Sequence, residues 1–315
     1  MEWKEMSFFD YGKVIDNDTR FVIFGIPWDY LTSIEAPNSA IAPDKIREVS
    51  NNLALSTEMG TEIPKLKAVD IGDIPIEKEN VEKNLKEIKK FVQEIYHQKK
   101  DAIPVMIGGD HFCSYPVIKA VGDNFEKKEE FGVLIFDAHL DFYEEWDKGV
   151  YSHATISHRV FDIEYINNTN LLIVGTRDID IPELKLSEEK DINHFDAYLV
   201  SEYGLSNLID NIIDFFQNSK VKYLYVSVDI DVFDPSTAPA TGYAIPGGFS
   251  YRDMWQILKS IAKKFNIIGF DLVEVAPNLD LPSNFTSNLA AKLITEFMSF
   301  ISQNLGDEIS EIKQI

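Results

Sequence analysis

The chain has 315 residues, 45% of them hydrophobic, which suits a sizeable core in one large α/β domain or two ordinary ones. Its 52 acidic residues outnumber the 30 basic ones, and the formal net charge of -22 repels nucleic-acid phosphates and anionic headgroups. The single cysteine excludes an internal disulfide and a cysteine-rich zinc site. No apolar run approaches the roughly 18 residues of a membrane span, and the first residues lack an apolar signal core. We therefore expect a cytoplasmic protein with no nucleic-acid or membrane partner.

Eight short apolar runs alternate with amphipathic stretches and predict the strands of one sheet. In chain order they are residues 20–25, 67–72, 102–108, 132–137, 170–175, 196–201, 223–229 and 267–275. Apolar residues recur at helical spacing from Val81 to Ile95 and from Leu208 to Phe216, which predicts helices there. This alternation is typical of a parallel sheet with helices on both faces. Because no repeat or linker divides the chain, we predict one three-layer α/β/α domain over residues 1–315, with a parallel eight-stranded sheet.

Acidic and histidine side chains follow four of these runs, at the points where the strands are predicted to end. They are Asp110 and His111 after the third run, Asp137, His139 and Asp141 after the fourth, Asp229 and Asp231 after the seventh, and Glu274 in the last. Asp137, His139 and Asp141 alternate, so an extended chain would present all three on one face. Because open α/β sheets bind ligands beyond the carboxyl ends of their strands, we expect these groups to converge.

The alternative is that these residues are helix caps and buried core histidines, which would account for Asp110 and Asp234. It does not account for His111 and His139, two of only six histidines, both falling inside acidic clusters. Carboxylate and imidazole ligands without a thiolate suit a divalent ion such as Mn²⁺. Two such ions would keep the crowded carboxylates ionised and would lower the pKa of a bridging water toward neutrality. The pattern thus predicts a hydrolytic site with two metal ions.

Three motifs, "GGDH" (108–111), "DAHLD" (137–141) and "SVDIDVFDPSTAPATGYAIPGG" (227–248), resemble the ureohydrolases, the family of arginase, agmatinase and formiminoglutamase. The resemblance extends from residue 25 to residue 277 and implies a single parallel eight-stranded sheet flanked by helices. It implies that one manganese ion is bound by His111, Asp137, Asp141 and Asp229, and the other by His139, Asp137, Asp229 and Asp231. Asp137 and Asp229 would then bridge the two ions.

The resemblance also implies roles for three catalytic residues. Glu274, in "EVAP", would bind the substrate guanidinium with paired hydrogen bonds and set its carbon over the hydroxide. Asp141 would steady the hydroxide and the tetrahedral intermediate. His153, in "SHAT", would contact the substrate and shuttle protons at the mouth of the pocket, although an exposed loop histidine is the alternative interpretation.

The residues after "DAHLD" bear on the substrate. In this family an arginase holds the α-carboxylate of arginine partly through an Asn at that place, whereas here Phe142 and Tyr143 follow, and then two glutamates. "SHAT" also resembles the agmatinase branch. We therefore predict hydrolysis of agmatine to putrescine and urea, a step of polyamine biosynthesis, by attack of a metal-bridging hydroxide. Arginase, guanidinobutyrate hydrolase and aminopropyl-agmatine hydrolase remain as alternatives, and the segments 33–50 and 240–248 depart from the family's loops.

The implied partner is a small cationic guanidino substrate, which the negative net charge would attract. Members of the family are commonly trimers or hexamers, so the resemblance also implies a homo-oligomer. Among other classes, a two-metal phosphoesterase would need cations for its phosphate and commonly an Asn-His ligand pair, and no "GNH" occurs. A metal-dependent deacetylase would have a different ligand order, and an inactive scaffold would lack one of the six ligands, none of which is missing.

Overall fold

The computed structural model describes residues 6–30, 38–147 and 149–306. Its strands are β1 (Phe21–Ile26), β2 (Ala68–Asp73), β3 (Ile103–Gly108), β4 (Phe131–Phe136), β5 (Leu171–Thr176), β6 (Asn193–Asp196), β7 (Tyr223–Asp229) and β8 (Asn266–Val273). They form one eight-stranded sheet in the order β2-β1-β3-β8-β7-β4-β5-β6. Every neighbouring pair is parallel, so the predicted parallel eight-stranded sheet is confirmed.

Helices cover both faces of the sheet. They are α1 (Ala42–Ser50), α2 (Val81–Gln98), α3 (Ser114–Asn124), α4 (Ile156–Phe161), α5 (Ile181–Glu189), α6 (Leu199–Tyr203), α7 (Leu205–Asn218), α8 (Tyr251–Lys264) and α9 (Phe285–Asn304). One buried core lies between the sheet and α1, α7, α8 and α9, and a second lies between the sheet and α2, α3 and α4. The three-layer α/β/α arrangement is therefore confirmed. Within the described ranges, no helix has the length and apolar character of a membrane span.

The strands are continuous apolar runs because helices cover the sheet on both sides. In β1, β3, β4 and β5 every residue is buried, so neither face has to alternate with polar positions. The two helical patterns also proved correct. Ile88, Val92 and Ile95 of α2 are buried, as are Leu208 and Phe216 of α7.

Two predicted segments were wrong. The sixth strand was expected at 196–201, but β6 ends at Asp196, and residues 199–203 form α6. β6 is a four-residue edge strand of half-buried residues, so it lacks the apolar run on which the prediction depended. The family loop expected at 33–50 is also not a loop throughout, because residues 42–50 form α1, with Pro43 in its first turn. Residues 33–37 lie outside the described residues.

A buried ion pair attaches α1 to the sheet. Arg47 Nε lies 2.8 Å from Asp70 Oδ2, and Arg47 Nη2 lies 3.0 Å from Asp70 Oδ1, a bidentate pairing. The Asp70 carboxylate also accepts a hydrogen bond from the Phe8 N–H at 2.8 Å. Both charged side chains are almost fully buried. One carboxylate thus joins the N-terminal segment, α1 and β2.

Replacing Arg47 by methionine should lower the free energy of unfolding by about 3–5 kcal/mol, because Asp70 would remain buried without its countercharge. Urea denaturation followed by circular dichroism measures the change. Asp44→Asn is the matched control, since this exposed carboxylate lies 3.7 Å from Arg47, and its loss should cost less than about 1 kcal/mol. An equal loss of stability in both variants would contradict a special role for the buried pair.

The strands that carry the predicted site residues lie side by side in the middle of the sheet. β3, β8, β7 and β4 are consecutive neighbours, although β3 and β4 are far from β7 and β8 along the chain. After β3 the chain crosses to β4 and continues away from β3 to β5 and β6. Ligand sites of open α/β sheets lie at such a point of reversal, beyond the carboxyl ends of the strands. The topology therefore places the site at the centre of this edge.

Candidate active site

The candidate ligands lie at the ends of the central strands or within a few residues after them. His111 begins a short 3-10 helix, His111–Cys113, soon after β3. Asp137 is the first residue after β4, and Asp229 is the last residue of β7. Because these strands are parallel neighbours, their ends bring residues from distant parts of the chain to one place.

Gly109 allows the β3 loop to approach the loop after β1. A Cβ at this position would lie 1.9 Å from the carbonyl oxygen of Trp28, so no other residue fits there without a shift of the backbone. Next to it, the Asp110 N–H donates to that carbonyl at 2.9 Å, and the Asp110 carboxylate accepts from the Tyr30 N–H at 2.6 Å. Burial raises the pKa of Asp110 to about 7. Asp110 thus fixes the loop that presents His111.

Two site residues have left-handed backbones, with φ of 49° at Asp141 and 62° at Glu274. This conformation is uncommon for residues other than glycine and costs on the order of 1–3 kcal/mol. Two hydrogen bonds hold Glu274 in place. Its N–H donates to the Gly109 carbonyl at 2.8 Å, and its Oε1 accepts from the His111 N–H at 2.8 Å. The end of β8 is therefore tied to the loop after β3.

Two groups of ligand atoms share Asp137. In the first, His111 Nδ1 lies 2.9 Å from Asp137 Oδ2 and 3.2 Å from both Asp141 Oδ2 and Asp229 Oδ2. In the second, His139 Nδ1 lies 3.3 Å from Asp137 Oδ1 and 3.1 Å from Asp231 Oδ2. The structure thus brings all six predicted ligands together, and Asp137 directs one oxygen to each histidine.

Asp229 lies between these groups in a different way. Its Oδ2 belongs to the first group, whereas its Oδ1 accepts a hydrogen bond from the Asp231 N–H at 2.8 Å. The atoms close enough to hold an ion in the second group come from Asp137, His139 and Asp231. That Asp229 also bridges to the second ion stays a prediction.

Unpaired buried atoms show that this cluster fits metal ions. His111 Nδ1 and Asp137 Oδ2 are buried and 2.9 Å apart, yet neither makes a hydrogen bond of acceptable geometry. Buried polar atoms are normally hydrogen-bonded, so atoms left without a partner and facing one point suit a cation. Six imidazole and carboxylate side chains form the two groups, and no thiolate is among them, a donor set suited to divalent ions.

The electrostatics of the cluster lead to the same conclusion. Burial and the neighbouring Asp137 charge raise the pKa of Asp141 to about 8. Burial and the charges of Asp231 and Asp137 raise the pKa of Asp229 well above its ordinary value. For Asp137 burial acts in the same direction, but the positive charges of the neighbouring His111 and His139 rings outweigh it and lower the pKa. Divalent cations would relieve the repulsion and keep the carboxylates ionised.

A buried hydrogen-bond chain orients the His111 ring. Its Nε2 lies 3.1 Å from Ser227 Oγ, which donates to Asp271 Oδ1 at 2.6 Å. The Tyr225 hydroxyl donates to the other oxygen of Asp271 at 2.7 Å. Such contacts fix the ring of a ligating histidine, so that Nδ1 faces the carboxylates. Sequence reasoning missed these residues, although the signal was present as polar residues inside the otherwise apolar strands β7 and β8.

A cavity of about 330 Å³ adjoins the second group. His139, Asp141 and His153 line it, so His153 shares this cavity with two of the candidate ligands, and its catalytic role stays a prediction. The other side chains that matter in its wall are aromatic or acidic: Tyr143, Trp146, Tyr243, Asp178, Asp180 and Glu183. Glu274 is not among the described lining residues, and its carboxylate lies against the backbone of His111.

Two acids of this wall, at the start of α5, were missed in the sequence. Asp180 Oδ2 accepts a hydrogen bond from the Tyr143 hydroxyl at 2.7 Å, and its Oδ1 accepts from the Ile181 N–H at 2.8 Å. Glu183 is buried and accepts from the Phe142 N–H at 2.8 Å, and burial raises the pKa of Glu183 to about 7. Both follow the carboxyl end of β5, so the rule that identified the ligands could have found them.

Arg177 holds two loops of the site through backbone carbonyls. Its Nη2 donates to the carbonyl of Asp231 at 2.5 Å and to that of Ile245 at 2.8 Å. The first contact fixes the turn that carries a candidate ligand, and the second anchors the segment 240–248. Within that segment, Tyr243 packs edge-on against His139, with ring centroids 5.9 Å apart. Segment 240–248 therefore borders the cavity through Tyr243.

A profile of the arginase family matches residues 19–299. The chain belongs to the arginase family. This confirms the family resemblance and the prediction that the chain is a hydrolase. The match spans all six candidate ligands, the cavity and every strand of the sheet.

Curated relatives and a solved structure resemble this arginase-family chain over most of its length. An agmatinase of Bacillus subtilis is 31% identical over 279 residues, covering 88% of this chain and 90% of that one. An N(1)-aminopropylagmatine ureohydrolase of Thermus thermophilus is 29% identical over 278 residues, with 88% of each chain covered. The structure of the agmatine ureohydrolase of Thermoplasma volcanium has a TM-score of 0.83 and 26% identity, covering 98% of each chain.

Proposed function

We propose that this protein is a binuclear manganese hydrolase that converts agmatine and water to putrescine and urea. The observation that carries the proposal is the charge of the cavity wall. Asp178, Asp180 and Glu183 line it, and none of the described lining residues is Lys or Arg. A substrate with an ammonium group at its far end fits this wall, whereas the carboxylate of arginine or guanidinobutyrate would meet like charges.

The metal assignment follows the two groups of donor atoms. His111, Asp137, Asp141 and Asp229 would hold one ion, and His139, Asp137, Asp229 and Asp231 would hold the other. Mn²⁺ suits imidazole and carboxylate donors without a thiolate. Such an ion pair, when bound, lowers the pKa of a coordinated water toward neutrality.

Glu274 binds the guanidinium of the substrate. One of its oxygens accepts from the His111 N–H at 2.8 Å, which fixes the carboxylate and leaves the other oxygen to accept from the guanidinium. Burial raises the pKa of Glu274 well above its ordinary value, and the positive charge of the substrate favours the ionised form. The bound guanidinium would therefore keep the Glu274 carboxylate ionised, and the ionised carboxylate would bind the guanidinium.

Asp141 and His153 move protons. Asp141 lies with Oδ2 3.2 Å from His111 Nδ1 and also lines the cavity, so its carboxylate reaches both the first donor group and the substrate. It takes a proton from the attacking water and passes it to the departing amino group. His153, in the cavity wall, supplies the second proton to that group and regains one from the remaining hydrogen of the same water, so that putrescine leaves as the free diammonium ion and urea keeps the oxygen.

A substrate panel tests the proposed function. Purified protein with added Mn²⁺ is assayed for urea release from agmatine, arginine, guanidinobutyrate and aminopropyl-agmatine. We expect kcat/KM for agmatine to exceed that for arginine and guanidinobutyrate by about tenfold or more, since the acidic wall attracts an ammonium group and repels a carboxylate. A preference for arginine or guanidinobutyrate would overturn the proposal, and a preference for aminopropyl-agmatine would correct the length of the substrate.

The proposal also covers the location, the pathway and the oligomeric state of the enzyme. We place it in the cytoplasm, in polyamine biosynthesis, as a homo-oligomer of three or six subunits. Light scattering coupled to gel filtration gives the mass of the particle in solution, and a monomer would contradict the expected assembly.

A further inference from the structure

Trp146 is held by a closed turn beside the cavity. Its N–H donates to the Gly149 carbonyl at 2.9 Å, and the Gly149 N–H donates back to the Trp146 carbonyl at 2.8 Å. These reciprocal hydrogen bonds fix the backbone from which the indole projects. The indole lines the cavity and is half-buried.

The indole belongs to a group of rings at this end of the cavity. Its centroid lies 4.8 Å from the Tyr143 ring and 6.3 Å from the His153 ring. Tyr143 is itself fixed, because its hydroxyl donates to Asp180 Oδ2 at 2.7 Å. A carboxylate therefore lies at the edge of an aromatic pair, and both face the same space.

This combination suits one kind of ligand group. Aromatic faces carry negative potential and attract cations, with tryptophan the strongest of the three aromatic residues. The ring surfaces are also apolar, so they accept the methylene chain that precedes a terminal ammonium. A neutral tail would gain the apolar contact only, and a carboxylate would be repelled by both the rings and Asp180.

We propose that Trp146 contacts the distal ammonium of the substrate and, together with Tyr143, selects a cationic tail over a neutral one. The proposal rests on the proposed function, since it requires a guanidino substrate with a second cation. The aromatic pair would thus add to the preference for a cationic tail that the charge of the carboxylates provides. Trp146 would contact the substrate without belonging to either donor group.

Trp146→Leu tests this with two substrates of equal length. Agmatine and n-pentylguanidine differ in that a methyl group replaces the ammonium. We expect the ratio of their kcat/KM values to fall about tenfold in Trp146→Leu, through KM for agmatine, with kcat little changed. Trp146→Phe retains an aromatic face and should keep the ratio within about threefold of wild type.

The controls separate this contact from packing and from the proposed function. Tyr203→Leu removes an exposed aromatic ring outside the cavity and should leave the ratio unchanged. If the ratio of the two kcat/KM values is the same in Trp146→Leu and in the wild type, whether or not both values fall, this inference alone is overturned. A wild type that prefers guanidinobutyrate would overturn both proposals. If the wild type releases no urea from any substrate, only the proposed function fails. Calorimetric titration with agmatine then tests the contact. Weaker binding to Trp146→Leu than to the wild type supports it, and equal or undetectable binding overturns it.

Discussion

Asp137→Asn should abolish urea release and remove both metal ions from the protein. Among the residues that the structure describes, Asp137 is the carboxylate that directs one oxygen to each of the two candidate histidine ligands, 2.9 Å from His111 Nδ1 and 3.3 Å from His139 Nδ1. An amide keeps the size of the side chain but loses the charge and one acceptor. We expect kcat to fall by more than about 10²-fold, the upper range for changes in the outer shell of a metal site. Elemental analysis of the purified protein gives the metal content.

Two further substitutions should lower the metal content to different extents. Asp231→Asn touches only the second donor group, so it should lower the metal content toward one ion per chain. Asp271→Asn acts through Ser227 on the orientation of His111, so it should weaken metal binding by about 10- to 100-fold without removing a ligand. Two ions retained by Asp137→Asn, or the same stoichiometry in all three variants, would contradict the shared ligand.

Glu274→Gln should retain both metal ions and lose most of its activity toward guanidino substrates. The amide oxygen can still accept from the His111 N–H, so the loop that carries the ligand keeps its hydrogen bond. The charge that pairs with the guanidinium is lost, and leaving a buried cation unpaired costs several kcal/mol. We expect kcat/KM to fall by about 10²- to 10³-fold. Steady-state kinetics and metal analysis of the same preparation measure both effects.

Glu145→Gln is the matched control for this change. Glu145 is an exposed glutamate in the segment after the fourth strand, and its substitution should change kcat/KM by less than about twofold. Loss of metal from Glu274→Gln would instead indicate that Glu274 serves mainly to hold the His111 loop. Full activity in Glu274→Gln would show that the guanidinium is bound elsewhere.

The apolar runs of the sequence predicted most of the sheet because burial on both faces leaves a simple signal. β4, for example, is apolar or glycine throughout and was expected within one residue of where it lies. β6 lacks this signal, because "NHFD" at the edge of the sheet has half-buried side chains and is defined by its pairing with β5. An edge strand of four residues depends on its neighbour more than on its own composition.

The candidate ligands could be predicted because each is a polar group at the end of an apolar strand. Ser227 and Asp271 could not be linked in the same way. They are register partners on β7 and β8, and they support a histidine that follows β3. Only the strand order β3-β8-β7 makes these three positions neighbours. The contribution of Trp146 likewise depends on how its turn folds back beside Tyr143, which spacing along the chain does not reveal.

With the roles proposed for Glu274 and His111, the hydrogen bond between the His111 N–H and Glu274 means that substrate recognition and metal retention would share a single peptide group. Any ligand that orders the glutamate also orders the backbone of the histidine, and the reverse holds equally. Thermodynamic linkage requires such an influence to be reciprocal: the factor by which the bound cation pair tightens substrate binding is the factor by which bound substrate tightens the binding of the cations. An enzyme with these roles would keep its inorganic component most firmly while it is saturated.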